Sequence, residues 1–251
     1  MTASKVPEIT VLFWIVKVLT TGMGETTSDF FVFSIDPVVA VLIGFVVFAA
    51  ALTLQFAMRR YIPWVYWLAV AMVSVFGTMA ADVTHIVLGV PYVVSTVVFA
   101  ALLAAVFVAW FRLEHTLSIH SITTRRREAF YWATVLVTFA LGTAAGDLTA
   151  TTLHLGYLAS GIVFAVVIAI PAIAFRWFRL NAVIAFWFAY IVTRPLGASF
   201  ADWMGVSHAR GGLAWGTGPV SLTLAGIIVV LVVALTARWR RTERTALASR
   251  P

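Results

Sequence analysis

Four copies of one pattern run through this chain of 251 residues. Each is an aromatic residue and Trp, nine further residues, Gly, three residues, a small residue and Asp. The copies are Phe13-Trp14, Gly24, Ser28-Asp29; Tyr66-Trp67, Gly77, Ala81-Asp82; Tyr131-Trp132, Gly142, Gly146-Asp147; and Phe186-Trp187, Gly197, Ala201-Asp202. A pattern kept four times is far more specific than a lone motif and reads as one structural unit built four times. The aspartates are 53, 65 and 55 residues apart, and corresponding aspartates of the two halves differ by 118 and 120. The expected organisation is therefore a nested duplication, with halves 1–120 and 121–251 inside one integral membrane domain.

The medium for these units follows from composition. With 62% apolar residues and only 11% charged ones, against roughly a quarter charged in soluble domains, a water-facing surface cannot be assembled. A bilayer span needs about 20 apolar residues. Stretches of that length fall near residues 9–33, 38–58, 63–88, 91–111, 129–154, 156–178, 180–205 and 217–237. The fold expected is an all-α membrane protein of eight transmembrane helices. Two spans per unit make every copy enter the membrane in the same sense, so the four two-helix repeats are parallel and pseudo-symmetric about the membrane normal. The first apolar run is too long for a signal-peptide core and holds Lys17, Glu25 and Asp29, which reads as a retained span. Pro171 and Pro195 lie inside spans and are expected to kink them.

Net charge is +7, which on a soluble domain would raise nucleic acid as a partner. Here its distribution reads as topology. Of 17 cationic residues, 14 fall in the N-terminal tail, the even-to-odd joints and the C-terminal tail, among them Lys5, Arg59, Arg60, Arg125, Arg126, Arg127, Arg176, Arg179, Arg244 and Arg250, whereas the odd-to-even joints hold only Arg210. The positive-inside rule then puts both termini in the cytoplasm. The joint from Arg112 to Glu128 reads as a solvated hinge between halves, and the aromatic pairs as an interfacial belt. With no cysteine, disulfides, thiolate metal sites and iron–sulfur clusters are excluded.

The opening Lys5-Val6-Pro7-Glu8, then Phe13-Trp14, Lys17, Thr20-Thr21, Gly24-Glu25 and Asp29, with the four Gly/Asp repeats, resembles the family of bacterial uncharacterised membrane-anchored proteins built from a repeat of unknown function. The resemblance spans nearly the whole chain. It implies a bacterial inner-membrane location and a repeated helical architecture, and carries no activity with it.

Function is therefore read from chemistry. Gly24, Gly77, Gly142 and Gly197, each with a small residue four later, give the odd spans a small-xxx-small face for close helix packing. Ionisable groups within spans cost several kcal/mol unless partnered or wet, which singles out Asp29, Asp82, Asp147, Asp202 and Glu25. The aspartates stand about 18–22 residues into their spans, roughly 27–33 Å along the axis, at the outer side. His85, His154 and His208 follow repeat aspartates by three, seven and six residues; the first two spacings keep imidazole and carboxylate on one helical face. Lys17 is placed to snorkel to the inner interface. Arg194 is too deep for that, and either pairs with an acid of a neighbouring helix or bonds backbone carbonyls.

These groups predict a transporter of a small cation, divalent or proton-coupled, with an outer-side Asp/His site suited to Mn, Fe, Zn, Ni or Co rather than Cu(I). The alternative is a non-transporting scaffold or sensor whose aspartates make interhelical hydrogen bonds. No His-Glu-x-x-His signature is present, and no enzyme is expected. The expected partners are the lipid bilayer and a small cation as substrate, with a homo-oligomer allowed and neither nucleic acid nor a resident cofactor.

Overall fold

A computed structural model of the chain describes residues 4–248; Arg250 lies outside them. Eight α-helices and no strand occur among these residues: α1 (Val11–Ser34), α2 (Pro37–Ala57), α3 (Pro63–Asp82), α4 (Tyr92–Glu114), α5 (Arg125–Asp147), α6 (Gly156–Trp177), α7 (Ala182–Gly205) and α8 (Thr217–Ala248). Their starts carry the expected signals. Thr10, Asp36, Thr124 and Asn181 each accept a backbone N–H of the first turn, and Pro37 and Pro63 occupy first positions where no N–H is needed. The helices α2 to α8 are long and apolar enough to cross a membrane, so this is a multi-pass helical membrane protein. The helix α1 falls short of that measure because Lys17, Glu25, Asp29 and a run of threonines dilute its apolar residues. The helices α6 and α7 run on past Pro171 and Pro195 without interruption.

The odd and even helices play different parts. In α3, α5 and α7 between 61% and 72% of the most apolar stretch is buried, whereas α2, α4, α6 and α8 bury only 17% each. The odd helices form a ring in which α1 packs on α3, α3 on α5, α5 on α7 and α7 on α1. Outside it, α2 leans on α3, α4 on α5, α6 on α7 and α8 on α1. Sequence dictates this. The most apolar stretches of the even helices are dominated by Leu, Ile, Val, Phe and Ala and lose nothing by facing hydrocarbon, while the odd helices carry Ser, Thr and charged groups that must be turned inward.

The repeat glycines set the ring's spacing. A Cβ on Gly24 of α1 would lie 2.9 Å from the Ser74 backbone of α3, and one on Gly77 2.7 Å from Cβ of Phe139 in α5. One on Gly142 would meet Arg194 of α7 at 2.2 Å, and one on Gly197 would meet the Val18 carbonyl of α1 at 2.8 Å. Each helix thus seats its glycine on the next, in the same sense all the way round.

Stepping back by four residues from each aspartate gives the inner stripe of each odd helix. The layers are Glu25, Thr78, Thr143 and Ala198; then Thr21, Ser74, Phe139 and Arg194; then Lys17, Val70, Val135 and Tyr190; then Phe13, Tyr66, Tyr131 and Phe186, and every one of these residues is buried. The last layer corrects the expected aromatic belt. Seven of the eight paired rings are buried, only Trp14 being partly exposed, and they interlock across helices, as Phe13 with Trp67, Tyr66 with Trp132 and Tyr131 with Trp187. They close one end of the ring, where large rings fill the space that the glycines leave narrow further along.

The joint after α4 is likewise not a solvated hinge. Ile119 and Ile122 are buried against the bundle, and the Trp187 indole donates to the Leu117 carbonyl at 2.9 Å. The amide of Lys5 donates to the Ile122 carbonyl. Below it the Lys5 ammonium pairs with the buried Glu128, which also accepts from Gln55 at 2.9 Å.

Candidate functional site

At the opposite end of the ring from the aromatic layer, the four repeat aspartates and Glu25 line one pocket of about 100 Å³. They come from all four odd helices, and the common interval from packing glycine to aspartate brings them together. Arg210, Tyr92, Tyr157 and Thr151 complete the polar wall. Ser28 of α1 donates to Asp82 of α3 at 3.1 Å, and Arg210 donates to the Tyr157 hydroxyl at 2.5 Å. Five carboxyl groups share this region with two arginines, a chemistry that can hold protons or a metal cation.

One histidine joins it. Directly after Asp82 and Asp147 the helices loosen into single π-turns, Val83–Val87 and Leu148–Thr152, a distortion common at functional sites. The first swings His85 so that it, Asp82 and Asp147 offer ligand atoms within 4.8 Å of one another. Two metal–ligand bonds of about 2.1 Å span at most about 4.2 Å, so a small closing movement would put all three on one ion. His85 Nε2 lies 2.6 Å from the Ser95 hydroxyl, and its Nδ1 is buried with no hydrogen-bond partner.

The other two histidines are elsewhere. The π-turn ends at Thr152, and His154 sits exposed in a left-handed conformation with φ 55°; its spacing would have held it on the aspartate's face only if the helix had continued. His208 lies exposed in a short turn after α7, where Nδ1 faces the Gly212 carbonyl at 2.8 Å. Neither lines the pocket.

Inward of the aspartates stands a second charged group. Arg194 of α7 is fully buried and pairs with Glu25 of α1. It also donates to Thr78 of α3 and, at 2.6 Å, to Thr143 of α5. One guanidinium thereby ties all four odd helices, and of the two roles open to it the acid partner is the one realised. Lys17, one layer further in, does not snorkel. Its stripe faces the ring interior, and its ammonium nitrogen lies over the Phe139 ring at 4.4 Å and the Tyr190 ring at 4.3 Å, with no hydrogen-bond partner.

The wall residues Tyr92, Tyr157 and Arg210 escaped the sequence reading, although a signal for two of them existed. Tyr92 and Tyr157 each stand ten residues after a repeat aspartate, in the same two copies that carry the π-turns.

No curated protein and no solved structure matches the chain. A family model described as Repeat of Unknown Function (DUF347) matches residues 12–61, 65–116, 130–181 and 185–245, one match for each helix pair described above. The chain belongs to this repeat family.

Proposed function

We propose that the protein binds a small divalent cation in the aspartate pocket and carries it across a bacterial inner membrane with proton coupling. In this reading α1 also crosses the bilayer, giving eight spans. The four helix pairs are parallel units about an axis along the membrane normal, both termini are cytoplasmic and the pocket opens outward. The same-sense seating of the four glycines and the clustering of cations at the joints on the terminal side support that arrangement.

The observation that carries the proposal is His85. Its Nδ1 is buried without a partner, and the imidazole offers a ligand atom within 4.8 Å of those of Asp82 and Asp147, a donor set of oxygen and imidazole that suits borderline first-row metals. His85 and the aspartates Asp82 and Asp147 would be the ligands. Asp29, Asp202 and Glu25 would balance charge, and Tyr92 and Tyr157 would narrow the entrance. The test is uptake by proteoliposomes across Mn²⁺, Fe²⁺, Co²⁺, Ni²⁺ and Zn²⁺, with Asp82→Asn and Asp147→Asn compared for uptake and for metal affinity. Saturable uptake of one ion, lost in both variants, is expected; unchanged affinity in both would remove the site.

One observation favours the second reading, a scaffold or sensor. Inward of the pocket the ring axis is filled by Arg194, Phe139, Lys17 and the aromatic layer, so this conformation offers no open path. A transporter must open that axis or pass the ion beside it, whereas a sensor would bind metal with no flux. The uptake assay separates the two.

A further inference from the structure

We propose that Lys17 is the proton-carrying group of the ring, losing its proton when the aspartate pocket takes up a divalent cation; this rests on the cation reading above. Three observations lead to it. First, Lys17 is fully buried and its nitrogen has no hydrogen-bond partner. A permanent ammonium held in that way would be an uncompensated charge in the interior, among the costliest arrangements a membrane protein can hold. Second, the site is not hostile to the charge either. The Phe139 and Tyr190 rings lie 4.4 Å and 4.3 Å from the nitrogen, and desolvated cation–π contacts of this kind favour the charged form. Amine and ammonium are thus both tolerated, which is what a proton carrier needs.

Third, the pocket can shift that balance through one shared residue. Glu25 lines the pocket and is at the same time the carboxylate paired with Arg194. Arg194 in turn lies 5.4 Å from the Phe139 ring that Lys17 also faces. While Glu25 pairs with Arg194, its carboxylate offsets the guanidinium charge beside Lys17. When a divalent cation draws Glu25 toward the aspartates, Arg194 is left positive and unpaired beside Lys17. The ammonium then gives up its proton: one N–H bond breaks, the electron pair stays on nitrogen, and the proton is relayed through tyrosine hydroxyls to water at the terminal face, where a new O–H bond forms. Tyr190, whose buried hydroxyl has no partner, and the Tyr66 and Tyr131 hydroxyls, joined at 2.5 Å, hold the next stretch toward the terminal end. The buried ionisable groups within about two turns of its layer on the odd helices are Glu25 on its own helix, Tyr66 of α3, Glu128 and Tyr131 of α5, and Tyr190 and Arg194 of α7. Neither α2 nor α8 before Arg238 carries an ionisable side chain.

The chain has two lysines, Lys5 and Lys17, so one measurement reads the proposal directly. The full-length protein is labelled with [6-¹³C]lysine and placed in lipid nanodiscs. The Lys17 resonance, assigned by its absence from Lys17→Arg, is followed from pH 5 to 10 with and without Zn²⁺, while calorimetry on the same sample reports whether Zn²⁺ binds. Expected is a titrating Lys17 whose midpoint falls by about one pH unit or more in Zn²⁺, a tenfold weaker hold on the proton. Zinc binding with an unmoved Lys17 midpoint, or a Lys17 that does not titrate, overturns the proton role and leaves the cation reading standing. No zinc binding, with Asp82→Asn indistinguishable from the unaltered protein, overturns both.

Discussion

Replacing Gly142 with Ala adds one methyl group and should destabilise the protein far more than the same change at a glycine with room around it. The added Cβ would stand 2.2 Å from Cγ of Arg194, 2.5 Å from its Cβ and 3.0 Å from Cδ of Pro195. Arg194 cannot retreat, because its guanidinium is fixed by Glu25, Thr78 and Thr143 on three other helices. To reach ordinary contact, α5 and α7 must part by about 1 Å. That forfeits a large share of the dispersion contacts along the seam and lengthens the guanidinium bonds as well. Overpacking of a tight core costs about 1–3 kcal/mol, and this site belongs at or above the top of that range. Two glycines supply controls of the same chemistry. Gly226 of α8 has nothing within 4 Å, and Gly44 of α2 faces the Met79 thioether at 2.6 Å, a flexible chain end that can swing aside. Their Ala variants should be neutral or gain up to about 1 kcal/mol from helix propensity. The assay is unfolding of the purified protein in mixed detergent micelles, followed by Trp fluorescence. If Gly142→Ala proves no less stable than Gly226→Ala, the helices do not pack through the repeat glycines and the ring is wrong.

Two further outcomes are expected. His85→Ala should weaken Zn²⁺ binding by about tenfold or more, equivalent to ~1.4 kcal/mol, while His154→Ala and His208→Ala leave it unchanged; calorimetry on all three decides, and equal losses would return the outer histidines to the site. A reporter active only in the periplasm, fused to the C-terminus, should stay silent, since an even number of spans with the N-terminus inside keeps both ends cytoplasmic.

Much of this molecule was legible because its helices are long, its caps conventional and its packing glycines repeated in register with the aspartates. Several of the failures share one cause, that residue type alone does not say which way a helix faces. Trp67 and Trp132 look like belt residues by composition and depth, yet they lie next to the stripe that carries the aspartates. Lys17 and Arg194 stand 12 and 8 residues before their aspartates, both multiples of four, so counting back in register would have turned them inward. His154 was lost for a different reason. The π-turn after Asp147 ends the helix, and no residue in Leu148–Thr152 announces a π-turn. Arg210 comes from a joint, where no periodicity applies.

The ring is made of repeated parts, and the groups with charge in its interior are the departures from the repeat. At the layer of Glu25 the other copies have Thr, Thr and Ala, and at the layer of Arg194 they have Thr, Ser and Phe. The pair joins Glu25 of the first copy to Arg194 of the fourth, an asymmetry of the ring with its own energetic signature. Glu25→Gln leaves Arg194 buried against hydroxyls and carbonyls only, and Arg194→Met leaves Glu25 among four aspartates. Each break of a buried pair should cost about 3–5 kcal/mol. The double variant replaces the pair with side chains of similar volume, removes both uncompensated charges, and should recover most of that loss. Unfolding of the four proteins in the same micelles gives the coupling as a cycle. A double variant as unstable as the two single losses combined would mean that Glu25 and Arg194 act independently. The route by which a cation in the pocket is sensed deeper in the ring would then be gone.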